Sequence, residues 1–137
     1  MDLFEYNQLV NYLTTLQLPE NLTTKEQQKF KNKATHFIIK NQLLYCRNKR
    51  NPEQPLKVIK ITEIEEVLFN GHSAIHTGHF GIEATYHRIS QNYYWPKLHQ
   101  DIENYIKACD VCQRKGKLKR TIHYIQSKQN HYLRKLE

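Results

Sequence analysis

Cys109-Asp-Val-Cys112 follows a cluster of three histidines, His72, His76 and His79, with 29 residues between His79 and Cys109. No other feature limits the fold as tightly. Two thiolates on one tight turn and two imidazoles from one short loop suit the tetrahedral four-ligand sites of structural zinc. With Zn²⁺ such a donor set gives a site of no net charge, which a small core tolerates. It also ties the loop before one helix to the end of another. Three histidines compete for two positions, and the spacings His72-x3-His76 and His72-x6-His79 are both geometrically possible. Spacing alone does not choose between them. A redox dithiol would call for a βαβ context around the Cys-x-x-Cys pair, and the sequence offers none.

The third cysteine, Cys46, makes the count odd. The opening MDLFEYNQLV places acids where a secretory signal needs bases. A disulfide framework is therefore a poor reading, and a single structural Zn²⁺ is the expected cofactor. Apolar runs such as Phe37-Ile38-Ile39 do not exceed four residues, so no membrane span is expected. Fifteen aromatic residues, nine of them Tyr, exclude a disordered chain.

Hydrophobic spacing assigns the elements. Leu3, Tyr6, Leu9, Val10, Leu13 and Leu16 recur at three and four residues, a helical stripe closed by Pro19. Thr23-Thr24-Lys25-Glu26 is a capping box opening a polar helix that carries Phe30 and Ala34. Phe37–Ile39 and Leu43–Tyr45 around Lys40-Asn41-Gln42 read as a hairpin, and 56–61 as a third strand. A second box, Thr62-Glu63-Ile64-Glu65, opens a helix that Asn70-Gly71 can end. Ile82, Tyr86, Ile89 and Tyr93 form the next helical face. Trp95-Pro96 breaks it, with Pro96 at the first position of a final helix carrying Leu98, Ile102, Tyr105 and Ile106. The expected class is α+β and mostly helical. A small three-helix zinc-binding bundle is preceded by a helix and a short hairpin or three-stranded element. The expected divisions are an extension at 1–61, the zinc-binding domain at 62–115 and a basic tail at 116–137.

Several residues invite a bland reading. Cys46 is expected as a small buried hydrophobe. Trp95 is expected in the core at the break between two helices. Of Tyr93 and Tyr94, one ring should be buried and one partly exposed. His36, His87, His99, His123 and His131 have no partner spacing and read as surface or packing residues.

His72-Ser-Ala-Ile-His-Thr-Gly78-His79-Phe80-Gly81, Thr85, Asn92-Tyr93-Tyr94-Trp95-Pro96, Asp101, Tyr105-Ile106 and Cys109-Asp-Val-Cys112-Gln113-Arg114-Lys115 occur in that order. Together they resemble the His-His-Cys-Cys (H2C2) zinc-binding domain of gypsy-type retrotransposon and retroviral-like integrases, over roughly residues 60–118. The resemblance implies His72, His79, Cys109 and Cys112 as ligands, with His76 a bystander. A related retroviral His-x3-His form makes His76 the second choice. Ala84 departs from the pattern, which usually has a Lys before the Thr. Residues 27–61 resemble, with no sharp motif, what precedes this domain in such polyproteins.

Integrases of this type join DNA with a later domain built on three carboxylates. After Cys112 only 25 residues follow, with Glu137 the one acid. Two-metal phosphoryl chemistry needs several carboxylates placed together, so no catalytic activity is expected of this chain. Residues 113–137 hold eight bases against one acid, a net +7, and residues 1–112 thirteen bases against twelve acids, a net +1. Within the basic segment Arg114, Lys115, Lys117, Lys119 and Arg120 are the candidate phosphate contacts, giving non-specific binding to DNA or other nucleic acid. They serve equally as a nuclear address. The resemblance adds self-association or other integrase-like chains as partners; no membrane and no small-molecule substrate is expected. The alternative is a zinc-stabilised protein-interaction adaptor, docking a partner through the Leu-rich face of the first helix and sent to the nucleus by its tail.

Overall fold

The computed structural model describes residues 1–74 and 78–114. Helix α1 (Leu3–Thr15) begins where Asp2 accepts hydrogen bonds from the amides of Phe4 and Glu5. Its expected stripe turns Tyr6 and Leu9 inward, with Val10, Tyr12 and Leu13 beside them. The ends of the stripe behave differently: Leu3 is 42% and Leu16 75% exposed. The Leu-rich face therefore packs on the chain's own core, which leaves an adaptor only the helix ends to offer. Helix α2 (Thr24–Ala34) carries the expected capping box. The Thr23 amide donates to Glu26 at 2.9 Å and the Glu26 amide to Thr23 Oγ1 at 3.4 Å.

Strands β1 (Phe37–Lys40) and β2 (Leu43–Cys46) form the expected antiparallel hairpin. Its two-residue turn holds Asn41 at φ 51° and Gln42 at φ 61°. Both left-handed residues match the primed turns whose twist suits paired strands. β3 (Leu56–Val58) is shorter than expected, because Ile61 already belongs to a 3₁₀ turn, Ile61–Glu63. That turn also displaces the second expected capping box. Glu63, rather than Glu65, reaches back two residues earlier, accepting from the Lys60 amide at 3.0 Å.

Helix α3 (Ile64–Leu68) does not stop at Asn70-Gly71. It widens into a π turn, Phe69–Ser73, that carries His72. Gly71 is required there: a Cβ would lie 2.6 Å from two carbons of Ile89. α4 (Ile82–Ser90) is followed by β4 (Tyr93–Tyr94), a fourth strand absent from the sequence reading. It pairs parallel with β3, giving the order β1-β2-β3-β4. Adjacent residues of a strand point to opposite faces. Tyr94 therefore joins the first core cluster and Tyr93 the second, and both rings are half-buried rather than one buried and one partly exposed. Pro96 does not open α5 (Leu98–Ala108). Lys97, at φ 66°, precedes the helix because the buried Trp95 must donate from Nε1 to Asp101 Oδ2 at 2.8 Å.

Two cores result. One, with Tyr6, Leu9, Phe37, Leu44 and Val58, lies between α1, α2 and one face of the sheet. The other, with Ile59, Leu68, Ile89, Trp95, Ile102 and Ile106, holds α3, α4 and α5 together. No helix of the described residues is long and apolar enough to cross a membrane.

Candidate metal centre

The π turn buries His72 completely. Beyond it, Gly78 at φ 68° and His79 at φ 52° bend the chain back, and the His79 amide donates to the His72 carbonyl at 3.2 Å. That closure sets the two imidazoles edge to face, with ring centres 5.0 Å apart. Cys109 ends α5 and accepts at its carbonyl from the Gln113 amide, so Cys112 rides on a helical turn over 110–114.

The ligand atoms of His72, His79, Cys109 and Cys112 all lie within 4.8 Å of one another. Cys112 Sγ is 3.2 Å from His72 Nε2 and 3.9 Å from His79 Nδ1, and Cys109 Sγ is 3.3 Å from His79 Nδ1. With Zn–S near 2.3 Å and Zn–N near 2.05 Å, a tetrahedral edge from N to S is about 3.6 Å. The observed separations bracket it, and the N₂S₂ donor set, two neutral imidazoles and two thiolates, would balance the charge of one Zn²⁺. The residues present fit one zinc ion.

A second ring of contacts orients His72. Its Nδ1 lies 3.4 Å from Thr85 Oγ1, itself 99% buried, and Thr85 donates to the Phe80 carbonyl at 3.2 Å. A hydroxyl already donating to a carbonyl can only accept from the imidazole, so Nδ1 carries the hydrogen and Nε2 presents its lone pair to the thiolates. Burial, then the neighbouring His79, holds the His72 pKa below the ordinary histidine value, against a hydrogen bond to the Phe80 backbone that raises it. The imidazole stays neutral, the form that binds metal. Tyr105 closes the other side, its ring 5.8 Å from that of His72 and its hydroxyl 3.1 Å from Ser73 Oγ. Sequence reasoning quoted Thr85 without a role. The available signal was a polar residue on the buried face of α4, between Ile82 and Ile89.

His76, the second choice for a ligand, lies outside the described residues, as do Lys115, Lys117, Lys119 and Arg120. Arg114 is described, and pairs with Asp110 at 2.8 Å on an exposed surface. Cys46 is half-buried in β2, and burial pushes its thiol pKa up. His36, His87 and His99 are exposed, as expected, and His123 and His131 lie outside the described residues.

The fold and the four-residue cluster define a zinc-binding module of the two-histidine, two-cysteine type. Residues 59–117 match the family described as the integrase zinc binding domain, so this part of the chain is a module related to retrotransposon integrases. A human protein named gypsy retrotransposon integrase-like protein 1 is 26% identical over 106 residues, covering 77% of this chain and 20% of its own length. The mouse zinc finger and BTB domain-containing protein 11 is 24% identical over 116 residues, 80% of this chain and 11% of its own. The Pro-Pol polyprotein of feline foamy virus is 43% identical over 35 residues, 26% of this chain and 3% of the polyprotein. The chain spans about a fifth of the length of the integrase-like relatives it matches.

Proposed function

We propose that the chain is a non-catalytic, zinc-stabilised module that binds nucleic acid without sequence specificity, as part of an integrase-derived protein. His72, His79, Cys109 and Cys112 are its ligands, and bound zinc supplies a cross-link between the start of α4 and the end of α5. The observation that carries this reading is the gathering of four ligand atoms within 4.8 Å. Four protein ligands leave no open position for an activated water, which is how structural zinc differs from catalytic zinc. Residues 1–61 serve as an extension of the domain at 62–115, and 116–137 as a basic tail. Arg114, Lys115, Lys117, Lys119 and Arg120 meet phosphates, which favours DNA as partner and the nucleus as location. Self-association with like chains fits the same reading. The adaptor alternative keeps the exposed Leu3, Phe4 and Leu16, 42%, 71% and 75% accessible, at the ends of α1.

Metal analysis and a binding titration test this together. The purified chain is expected to hold one zinc per molecule and to lose affinity for a labelled DNA duplex steeply as salt rises. Zinc absent from a folded chain defeats the ligand assignment. A flat response to salt defeats the phosphate contacts.

A further inference from the structure

Charge counted over residues 1–112 hides a segregation inside them. Residues 25–60 hold ten bases and two acids, a net +8, and residues 61–112 three bases and seven acids, a net −4. The basic stretch meets the zinc module at one cleft, and a second cleft within the module adjoins it. One, of about 500 Å³, lies between Asn48, Arg50 and Gln54 of the loop from β2 to β3 and His87, Gln91 and Asn92 at the end of α4. The other, of about 230 Å³, runs past Arg88, Asn70, Asn92 and Tyr93. They share Asn92, and Gln54 Nε2 donates to Asn92 Oδ1 at 3.4 Å, joining the two walls. Among the described residues no carboxylate lines either cleft, in a chain with thirteen acids. Neither guanidinium pairs with an acid among the described residues. Arg88 lies over the Phe80 ring, 5.2 Å from its centre. Pairing across the sheet sets Tyr45 opposite Lys57 and Lys57 opposite Tyr93. That row lies on the face away from the first core, to which Phe37, Leu44, Val58 and Tyr94 belong.

We propose that these clefts, walled by Arg50, Arg88 and the carboxamides of Asn48, Gln54, Gln91 and Asn92, bind a single nucleic-acid strand. The inference rests on the nucleic-acid reading above, and moves the grip from the tail to the junction between the extension and the zinc module. Planar guanidiniums match phosphate oxygens. Carboxamides offer a donor and an acceptor side by side, the pattern that base edges complete. A duplex occupies the Watson–Crick edges by pairing, and a single strand leaves them free to meet carboxamides. The tyrosines beside Lys57 supply rings of the kind on which unpaired bases stack.

The test uses the whole zinc-loaded chain and a fluorescent single-stranded 12-mer of mixed sequence. Three variants are compared: Arg50→Ala with Arg88→Ala; Arg50→Lys with Arg88→Lys; and alanine at Arg114, Lys115, Lys117, Lys119 and Arg120. Both cleft arginines are exposed, so circular dichroism should not change. The alanine cleft variant is expected to bind at least tenfold more weakly, with the slope of log affinity against log salt reduced by about 1.4. The lysine pair should recover the slope, and the tail variant should lose less than the cleft variant. In the tail variant, the strand should bind better than a duplex of the same sequence. Wild-type affinity in the alanine cleft variant, with the loss confined to the tail variant, overturns this inference and leaves the broader reading standing. Duplex bound as well as strand by the tail variant also overturns it. No binding to either probe by the unaltered chain overturns both.

Discussion

Replacing Thr85 by valine keeps the shape of the side chain and deletes the hydroxyl that orients His72. In the folded chain that hydroxyl accepts from His72 Nδ1 at 3.4 Å and donates to the Phe80 carbonyl at 3.2 Å. The site admits 1% of the side chain's accessible surface to solvent, so water does not readily substitute. A hydrogen bond lost where its donor keeps a second partner costs about 0.5–1.5 kcal/mol. The imidazole Nδ1–H retains only the Phe80 backbone as an acceptor, and the ring is freer to turn Nε2 away from Cys112. Loss of such an outer contact weakens metal affinity by about 10–100-fold, or about 1.4–2.8 kcal/mol. Competition for Zn²⁺ with a chromophoric chelator at neutral pH measures it. Thr85→Ser keeps the hydroxyl and should remain within a few-fold of wild type. Imidazole nitrogen shifts should show mixed tautomers for His72 in the valine variant alone. Valine holding zinc within twofold of wild type, or serine losing as much as valine, would refute the reasoning.

Gly71→Ala forces a Cβ to within 2.6 Å of Ile89 and should cost about 1–3 kcal/mol in urea unfolding of the zinc-loaded chain; an unchanged midpoint contradicts the close packing of the π turn on α4. Gln42 stands at φ 61°, where a side chain costs about 1 kcal/mol or more, so Gln42→Gly should raise the unfolding midpoint; a lowered midpoint argues against the primed turn. Hydrogen bonds from Thr23 hold the Glu26 carboxyl below its ordinary value of 4.5. The capping box therefore contributes fully above that value and is lost as pH falls through the lower folded pKa, and Glu26→Gln should flatten that part of the stability profile; identical acid-side profiles would refute it.

The parts legible in the sequence are those where chemistry restricts residue type. Metal ligation admits few side chains, so the Cys109-x-x-Cys112 turn and the histidine cluster stand out at once. The resemblance then selected His79 over His76. Helical faces were legible for the same reason of periodicity: Ile102 and Ile106 are buried at their expected spacing. What escaped depends on partners distant in the chain. β4 is two residues long and exists because Lys57 and Val58 lie opposite Tyr93 and Tyr94, a pairing no local pattern encodes. The π turn looked like a helix end because Asn70-Gly71 is ordinary stop chemistry, and only the approach of Ile89 shows why glycine is there. The division of charge between 25–60 and 61–112 was present in the sequence, but the sum over residues 1–112, a net +1, concealed it.

β4 also changes what the metal has to hold. α4, β4 and α5 form a hairpin of helices whose closed end is Tyr93–Trp95 and whose open end is the pair His79 and Cys109. The closed end is fixed by the sheet: the Lys57 amide donates to Asn92 at 2.9 Å and the Ile59 amide to Tyr94 at 2.9 Å. Trp95, buried and bonded to Asp101, locks the turn into α5. The ligand cluster sits at the other end, where Gly78 and His79 hold left-handed backbone and no strand of the described residues reaches. One set of cross-links is made of backbone and apolar surface, the other of four side chains. The binding energy of a structural zinc, about 10 kcal/mol or more in small domains, therefore acts chiefly on His72, the turn at Gly78 and the last turn around Cys112. Removal of the ion is expected to leave the hydrogen bonds of the sheet end in place. The opened ends are those that carry the buried imidazole of His72 and lead, through Arg114, into the basic tail.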